Sequence, residues 1–473
     1  MTAQTILPAN SVTGGFDVDN SVRLDGTSAY LKFTSSAGNR RTWTYSTWVK
    51  RSKLTNDKQN FISSYAAQND AGYTGFRFQE GEVINLTGWS TDWFTTTRVF
   101  RDLSAWYHIV LAVDTTNATA GNRLRLYVNG VEETSFSQSN NPDENEDLAI
   151  NVDGEVTYIA SEAYTSGGSR WFNGYIAETV LIDGLQLTPS SFGEFDSDSG
   201  IWKPKDVSGL TRGTNGFYLD FKDSSNLGND AFGDTDLTEV NLAATDQSTD
   251  TCTNNFCTLN PLTKRPTANG TIAEGNLQYT ASTGDSHIYG TMAIPPGMKV
   301  YFEVKLVSNT AQNAIGIHNV YDGGDGAFIK GGGEAGTYSF KPRGSSSVTQ
   351  YFNNGSATNH SIDNVANDTI IGVAVDNANG QIHYSIDGTY INSSDPTDNN
   401  PVALVTGFGG ANEQYLHFSL DTTSTQPSNQ FNFGSPPYSE SGGESDADGH
   451  GNFNQAVPSG YFALCTKNLA EYG

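Results

Sequence analysis

The stretch NRLRLYVNGVE at residues 122–132 constrains the fold of this chain more than any other. Leu124, Leu126 and Val128 alternate with Arg123, Arg125 and Tyr127, the two-residue period of a strand with one buried face and one wet face. Asn129-Gly130 then supplies two residues that tolerate positive φ, as a tight type I′ hairpin requires. The device returns as QIHYSIDGTYI at 381–391, with Ile382, Tyr384 and Ile386 in the apolar row and Asp387-Gly388 at the turn. Such a chain is an antiparallel β protein, and its function must sit on loops or strand faces.

Other segments read the same way. In WTYSTWVK at 43–50, Trp43, Tyr45, Thr47 and Val49 share one face, and Thr44, Ser46, Trp48 and Lys50 the other. Around residue 110, in WYHIVLAVD, both faces are apolar, which marks a strand in the middle of a sandwich. KVYFEVKL near residue 300 places Val300, Phe302, Val304 and Leu306 on one face. No stretch carries helical periodicity over three turns. With 473 residues the chain exceeds one ordinary core. The expected fold class is all-β: two antiparallel β-sandwich domains of jelly-roll type, at 1–200 and 266–473, joined by an ordered connector at 201–265. Phe217, Tyr218 and Phe221 give that connector something to pack with.

Charge narrows the partners. The chain has 26 basic and 52 acidic side chains, a net charge of -26. A field of that sign repels phosphate backbones and anionic lipid, so neither nucleic acid nor membrane insertion is expected. No apolar run approaches the ~20 residues of a membrane span. The opening MTAQTILPANSVTGGF lacks the basic and apolar regions of a secretion signal. The sequons at Asn85, Asn117, Asn269 and Asn354 therefore read as chance matches. Cys252, Cys257 and Cys465 are odd in number and sparse, which suits ordinary thiols in a reducing compartment.

Resemblance adds to this. LDGTSAYL, WTYSTWVK, WYHIVLAVD, RLRLYVNGVEE and FNGYIAETVLIDGLQLTP, in that order, resemble a laminin G-like, concanavalin A-like jelly roll over about the first 200 residues. YFEVKL, IIGVAVD before YSIDGTY, then FNFG and GYFALCTKNL resemble a SPRY-type sandwich. ILPANSVTGGF, SSAGNRRTWTYSTWVKR, NGFYLDFKDSSNLGND, TNNFCTLNPL and the ending GYFALCTKNL are together similar to virion proteins of marine tailed bacteriophages, of tail-fibre or head-fibre type. That resemblance implies a virion component assembled in the host bacterial cytoplasm. Its partners would be other virion proteins and a host surface glycan. A homo-oligomer, by analogy a trimer, is also implied. It supplies no catalytic residues.

The candidate chemistry is of three kinds. EFDSD at 194–198 alternates Glu194, Asp196 and Asp198, as carboxylates lining a glucanase cleft must; retaining hydrolysis needs two of them about 5 Å apart. The flanking PSSFG and SGIWKP instead read as turn and linker, so a solvated acidic turn is expected. Asp322 and Asp325 in YDGGDGAF, and Glu444, Asp446 and Asp448 in SESGGESDADGHGN, could give calcium its oxygens, against the plainer reading of Asp-Gly turns. Sugar binding needs an aromatic platform beside polar groups. Tyr65, Asn69, Asp70 and Tyr73 in SYAAQNDAGYTGF, with Trp89 and Trp93 in GWSTDWF, are the candidates, although each Trp could equally fill the core. His108, His318, His383 and His417 have no metal-pair spacing. The expected function is binding, with a purely structural virion role next and a glycoside hydrolase last.

Overall fold

The computed structural model describes residues 15–54, 57–164, 168–263, 270–282, 284–309, 313–319, 335–343, 348–363, 365–398, 405–409, 412–422, 426–439 and 441–473. The fold is nearly all β, with one α-helix, Thr466–Tyr472, among these residues. Two compact units divide between Asn255 and Phe256.

In the first unit, one antiparallel sheet is ordered Val131–Glu132, Leu124–Val128, Trp106–Asp114, Thr42–Arg51, Asn173–Asp183, Ser21–Asp25 and Gln247–Ser248, with Phe217–Leu219 also paired to Asn173–Asp183. The other is ordered Phe136–Ser139, Asp92–Thr96, Val83–Thr87, Tyr73–Gln79, Gln59–Tyr65, Val156–Ile159, Tyr30–Thr34 and Thr238–Val240. Alternation decides what lies between them. Trp43, Tyr45 and Val49 join Ile109, Leu111 and Val113 in one core with Phe76, Phe78, Ile84 and Leu86 of the second sheet. The hairpin at Asn129-Gly130 has φ values of 49° and 77°, both positive as its turn type demands.

The other face of the first sheet is buried too. Trp48 packs there with Trp106, Tyr175, Trp202 and Cys252, and Val110 with Val180, Ile182 and Tyr218. That covering layer comes from the segment read as a connector. Phe217–Leu219, Thr238–Val240 and Gln247–Ser248 each pair with a strand of the sandwich. Residues 201–255 thus complete the first unit, and the division falls ten residues before the expected boundary at 265. The physical reason is the two-sided apolar first sheet, whose outer face must be covered.

The second unit is likewise built of two sheets. One runs Thr271–Ala273, Gln278–Thr280, Ser428–Asn432, Lys299–Ser308, Ile370–Asp376, Gln381–Ile386 and Thr389–Tyr390. The other runs Gly284–Ile294, Gln414–Thr422, Asn313–His318, Thr337–Lys341, Val348–Asn353 and Ser356–Asp363. Val300, Phe302, Val304 and Leu306 enter the core as their spacing predicts, and so do Ile382 and Tyr384. Asp387 and Gly388 take φ values of 45° and 84° at the second hairpin.

Candidate functional site

The outer face of the second sheet in the first unit carries a polar cleft. In YTGFRFQ, Phe76 and Phe78 point into the core, so Tyr73, Arg77 and Gln79 line the opposite face. Gly75 lies between them because a Cβ there would stand 2.7 Å from the Tyr73 hydroxyl. Lys58, Thr87, Trp89, Asp92, Glu162, Tyr164 and Arg170 are among the other residues that line this cavity of about 380 Å³.

Its rim is aromatic. Trp89 is 38% exposed and Tyr164 42%, with ring centroids 5.0 Å apart. Tyr65 stands 5.2 Å from Tyr164 and 6.1 Å from Trp89, and Tyr73 meets Trp89 edge-on at 6.2 Å. Two wet rings held together at a cleft mouth offer an apolar platform with polar groups beneath.

Its floor is ionic. The Tyr73 hydroxyl donates to Glu162 Oε1 at 2.5 Å, Ser169 Oγ donates to Oε2 at 3.0 Å, and Arg170 pairs with Oε1. Burial first, and the Glu162 charge second, push the Tyr73 phenol well above its ordinary pKa. Among the described residues Arg77 makes only long contacts, 3.4 Å to the Tyr73 hydroxyl, 3.4 Å to Gln79 Oε1 and 3.9 Å to Glu162, and its buried Nε has no hydrogen-bond partner there. Lys58 enters no ion pair among the described residues, and burial together with the Arg77 and Arg170 charges lowers its pKa.

The residues singled out from sequence separate on this frame. Tyr65, Tyr73 and Trp89 come together. Trp93 does not join them: it is 2% exposed and fills the core, because its strand turns that face inward. Asp70 is committed to structure, taking hydrogen bonds from the backbone and hydroxyls of Ser90 and Thr91 at 2.7–3.2 Å. Against the upward push of burial, those donors hold its carboxyl below the usual range. Asn69 is exposed, opens the short Asp70–Gly72 turn and stays off the cleft. Sequence reasoning missed Lys58, Arg77, Glu162, Tyr164 and Arg170. For Arg77 a signal existed, two residues from Gly75 on the wet face of an alternating strand.

The other candidates resolve differently. Glu194 lies in a two-stranded ribbon, Gly193–Phe195 with Trp202–Pro204, Asp196 follows it, and both face Lys203 Nζ, at 3.6 and 3.2 Å. Backbone and hydroxyl donors of Ser199 draw the Asp196 carboxyl down to about 2, the state of an acidic turn. Asp322 and Asp325 lie outside the described residues. Asp446 is buried, and its carboxylate accepts from the backbone of Asp448, His450 and Ala463 and from Asn468 Nδ2 at 2.8–3.1 Å. With its lone pairs so engaged it does not fit a calcium ligand. Asp448 accepts from the Tyr472 hydroxyl, and Glu444 forms a β-bridge to Phe453. No group of three or more His, Cys, Asp or Glu among the described residues is placed to hold a metal. Histidines distant in sequence do meet: His417 lies 5.8 Å from His287 and 5.7 Å from His318, ring to ring. Adjacent antiparallel strands bring them side by side.

An antiparallel two-sheet sandwich with an open polar cleft on one outer face is the class that the first unit defines. Residues 25–189, which contain every cleft residue, match the model of the concanavalin A-like lectin/glucanases superfamily, of laminin G type. No curated protein sequence matches the chain. Among solved structures, a protein from Bacteroides ovatus described as carbohydrate-binding is similar at 15% identity, over 48% of this chain and 61% of that one, with a TM-score of 0.35. Domain 4 of an extracellular arabinanase from Geobacillus stearothermophilus, solved with arabinotriose, is similar at 19% identity over 39% and 83%, with a TM-score of 0.28. A human SPRY domain is similar at 9% identity over 37% and 96%, with a TM-score of 0.27. At these identities the likeness is one of fold.

Proposed function

We propose that this chain is a glycan-binding protein whose first unit holds sugar at the Trp89–Tyr164 cleft, and that it serves on a bacteriophage virion, in a tail or head fibre, to attach to host-surface glycan. One observation carries the binding reading: two exposed aromatic rings, 5.0 Å apart, at the mouth of a polar cavity. Sugar C–H faces stack on such rings while hydroxyls reach charged and amide groups below. The match of residues 25–189 to a lectin and glucanase superfamily supports it. The virion setting is supported by the resemblance of segments spread along the whole chain. Copies arrayed as a homo-oligomer, by analogy a trimer, would turn weak single contacts into avidity. A calcium ion held by Asp322 and Asp325 belongs to the same proposal.

Retention on a glycan array, compared between the native chain and Trp89→Ala, tests the binding reading. Trp89 is outside the core, so the variant should fold, and roughly tenfold weaker retention is expected for the loss of one stacking ring. Equal retention would refute the reading. A chain that binds other virion proteins firmly and no glycan would be a structural component. Release of reducing sugar from host polysaccharide, abolished at Glu194 or Asp196, would make it a hydrolase. Labelling of intact particles with an antibody to the chain tests the virion setting.

A further inference from the structure

The charge of the cleft runs against the charge of the protein. Acidic side chains outnumber basic ones twofold along the chain, yet three cations, Lys58, Arg77 and Arg170, meet two carboxylates, Asp92 and Glu162, around this one cavity. The two carboxylates leave one cation in excess, and neither makes a close ion pair with Lys58 or Arg77 among the described residues. Glu162 is buried and spent on Tyr73, Ser169 and Arg170, and Asp92 accepts from Asn85 Nδ2 at 3.1 Å. Arg77 is the telling member. Its guanidinium is buried and lines an open cavity, and among the described residues its contacts are at the outer limit of hydrogen bonding and Nε makes none. Leaving such a group unsatisfied is costly unless an acceptor arrives from outside. Lys58 lines the same cavity and enters no ion pair among the described residues, Glu162 and Asp92 acting on it only at longer range.

We infer that the cleft selects an acidic sugar, with the ring stacked at Trp89 and Tyr164 and a carboxylate set against Arg77 and Lys58. A planar carboxylate matches the fork of a guanidinium and would supply the acceptors Arg77 lacks. A neutral sugar would leave both cations as they are. The inference rests on the glycan-binding reading and adds the chemical class of its ligand.

The test is an array of carboxylate-bearing glycans printed beside their carboxyl-reduced counterparts and sulfated glycans, probed with the full chain. Retention of the carboxylate forms at least tenfold above their reduced forms is expected, since one charge-assisted bond has that effect. Lys58→Gln, which breaks no ion pair among the described residues, should remove most of that preference while leaving the melting temperature unchanged. Equal retention of carboxylate and reduced forms, lost together in Trp89→Ala, would overturn the acidic-sugar inference and leave glycan binding standing. Retention of sulfated glycans alone would overturn it too. Retention of no glycan would overturn both.

Discussion

Asp250 tests the finding that residues 201–255 belong to the first unit. Its carboxylate is buried against Lys50 of the central strand Thr42–Arg51, with Nζ 2.6 Å from Oδ2 and the two side chains 2% and 1% exposed. Trp106 Nε1 donates to the other oxygen at 3.0 Å, and Lys50 Nζ also reaches Asn255 Oδ1 at 2.6 Å. Asp250→Ala would leave the buried Lys50 ammonium without this carboxylate. Removing one partner of a buried pair costs about 3–5 kcal/mol, because the remaining charge keeps its desolvation penalty. For a unit of this size each kcal/mol lowers the melting temperature by roughly 2–4 °C, so a fall of roughly 6–20 °C is expected. All seven tryptophans precede Asn255, so intrinsic fluorescence during thermal or urea unfolding reports the first unit by itself. Lys50→Met combined with Asp250→Leu should recover much of the loss, since an apolar pair of similar volume needs no counter-charge. A loss below about 1 kcal/mol for Asp250→Ala would refute the reasoning. So would a double variant no more stable than the single one.

Four further outcomes are expected. His108 is buried with both ring nitrogens engaged, Nδ1 accepting from Trp202 Nε1 at 3.0 Å and Nε2 lying 2.9 Å from Ser46 Oγ, and burial lowers its pKa to about 3. The unfolded chain binds a proton that the folded chain refuses, so stability of the first unit should fall as pH drops from about 6.5 towards 3, and His108→Gln should flatten that limb in fluorescence-monitored urea titrations. Glu178 has the opposite sign: burial raises its carboxyl to about 8, so the folded chain keeps a proton that the unfolded chain has lost. Stability should decline as pH climbs from about 4.5 to 8, and Glu178→Gln should abolish that decline; a native curve still rising through this window would contradict it. Trp93→Ala should destabilise the first unit by about 3–5 kcal/mol through an unfilled core, and a variant of unchanged urea midpoint would place Trp93 outside the core. Asp446→Ala should lower the melting temperature of the second unit as four donors lose their acceptor, whereas excess EDTA should not reproduce that shift, and matching shifts by calorimetry would restore a metal at Asp446.

What could be read from the chain follows from how locally each feature is encoded. Both hairpins were legible because a two-residue period and an Asn-Gly or Asp-Gly pair lie within eleven residues. The two-sided burial of the Trp106–Asp114 strand was legible as an unbroken apolar run. The part that residues 201–255 play in the first unit was not, because their strands, Phe217–Leu219 on one sheet and Thr238–Val240 on the other, are three residues long and display no period. Lys50 looked like a wet-face residue because its partner lies 200 positions away. The cleft divides along the same line. Tyr65, Tyr73 and Trp89 stood out since aromatic residues in polar turns are visible one segment at a time, and Trp93 was the ambiguous neighbour whose orientation depends on the register shift between Leu86 and Thr87. Glu162 and Arg170 reach the site only because Val156–Ile159 pairs with Gln59–Tyr65, an alignment that no local pattern announces. Sequence therefore exposed the aromatic half of the cleft and hid the ionic half. Under the proposed binding role, stacking would tolerate many sugars, whereas a guanidinium with only long contacts beside an ammonium that enters no ion pair among the described residues would discriminate by charge, so the half that register assembles is the half that would decide which glycan is held.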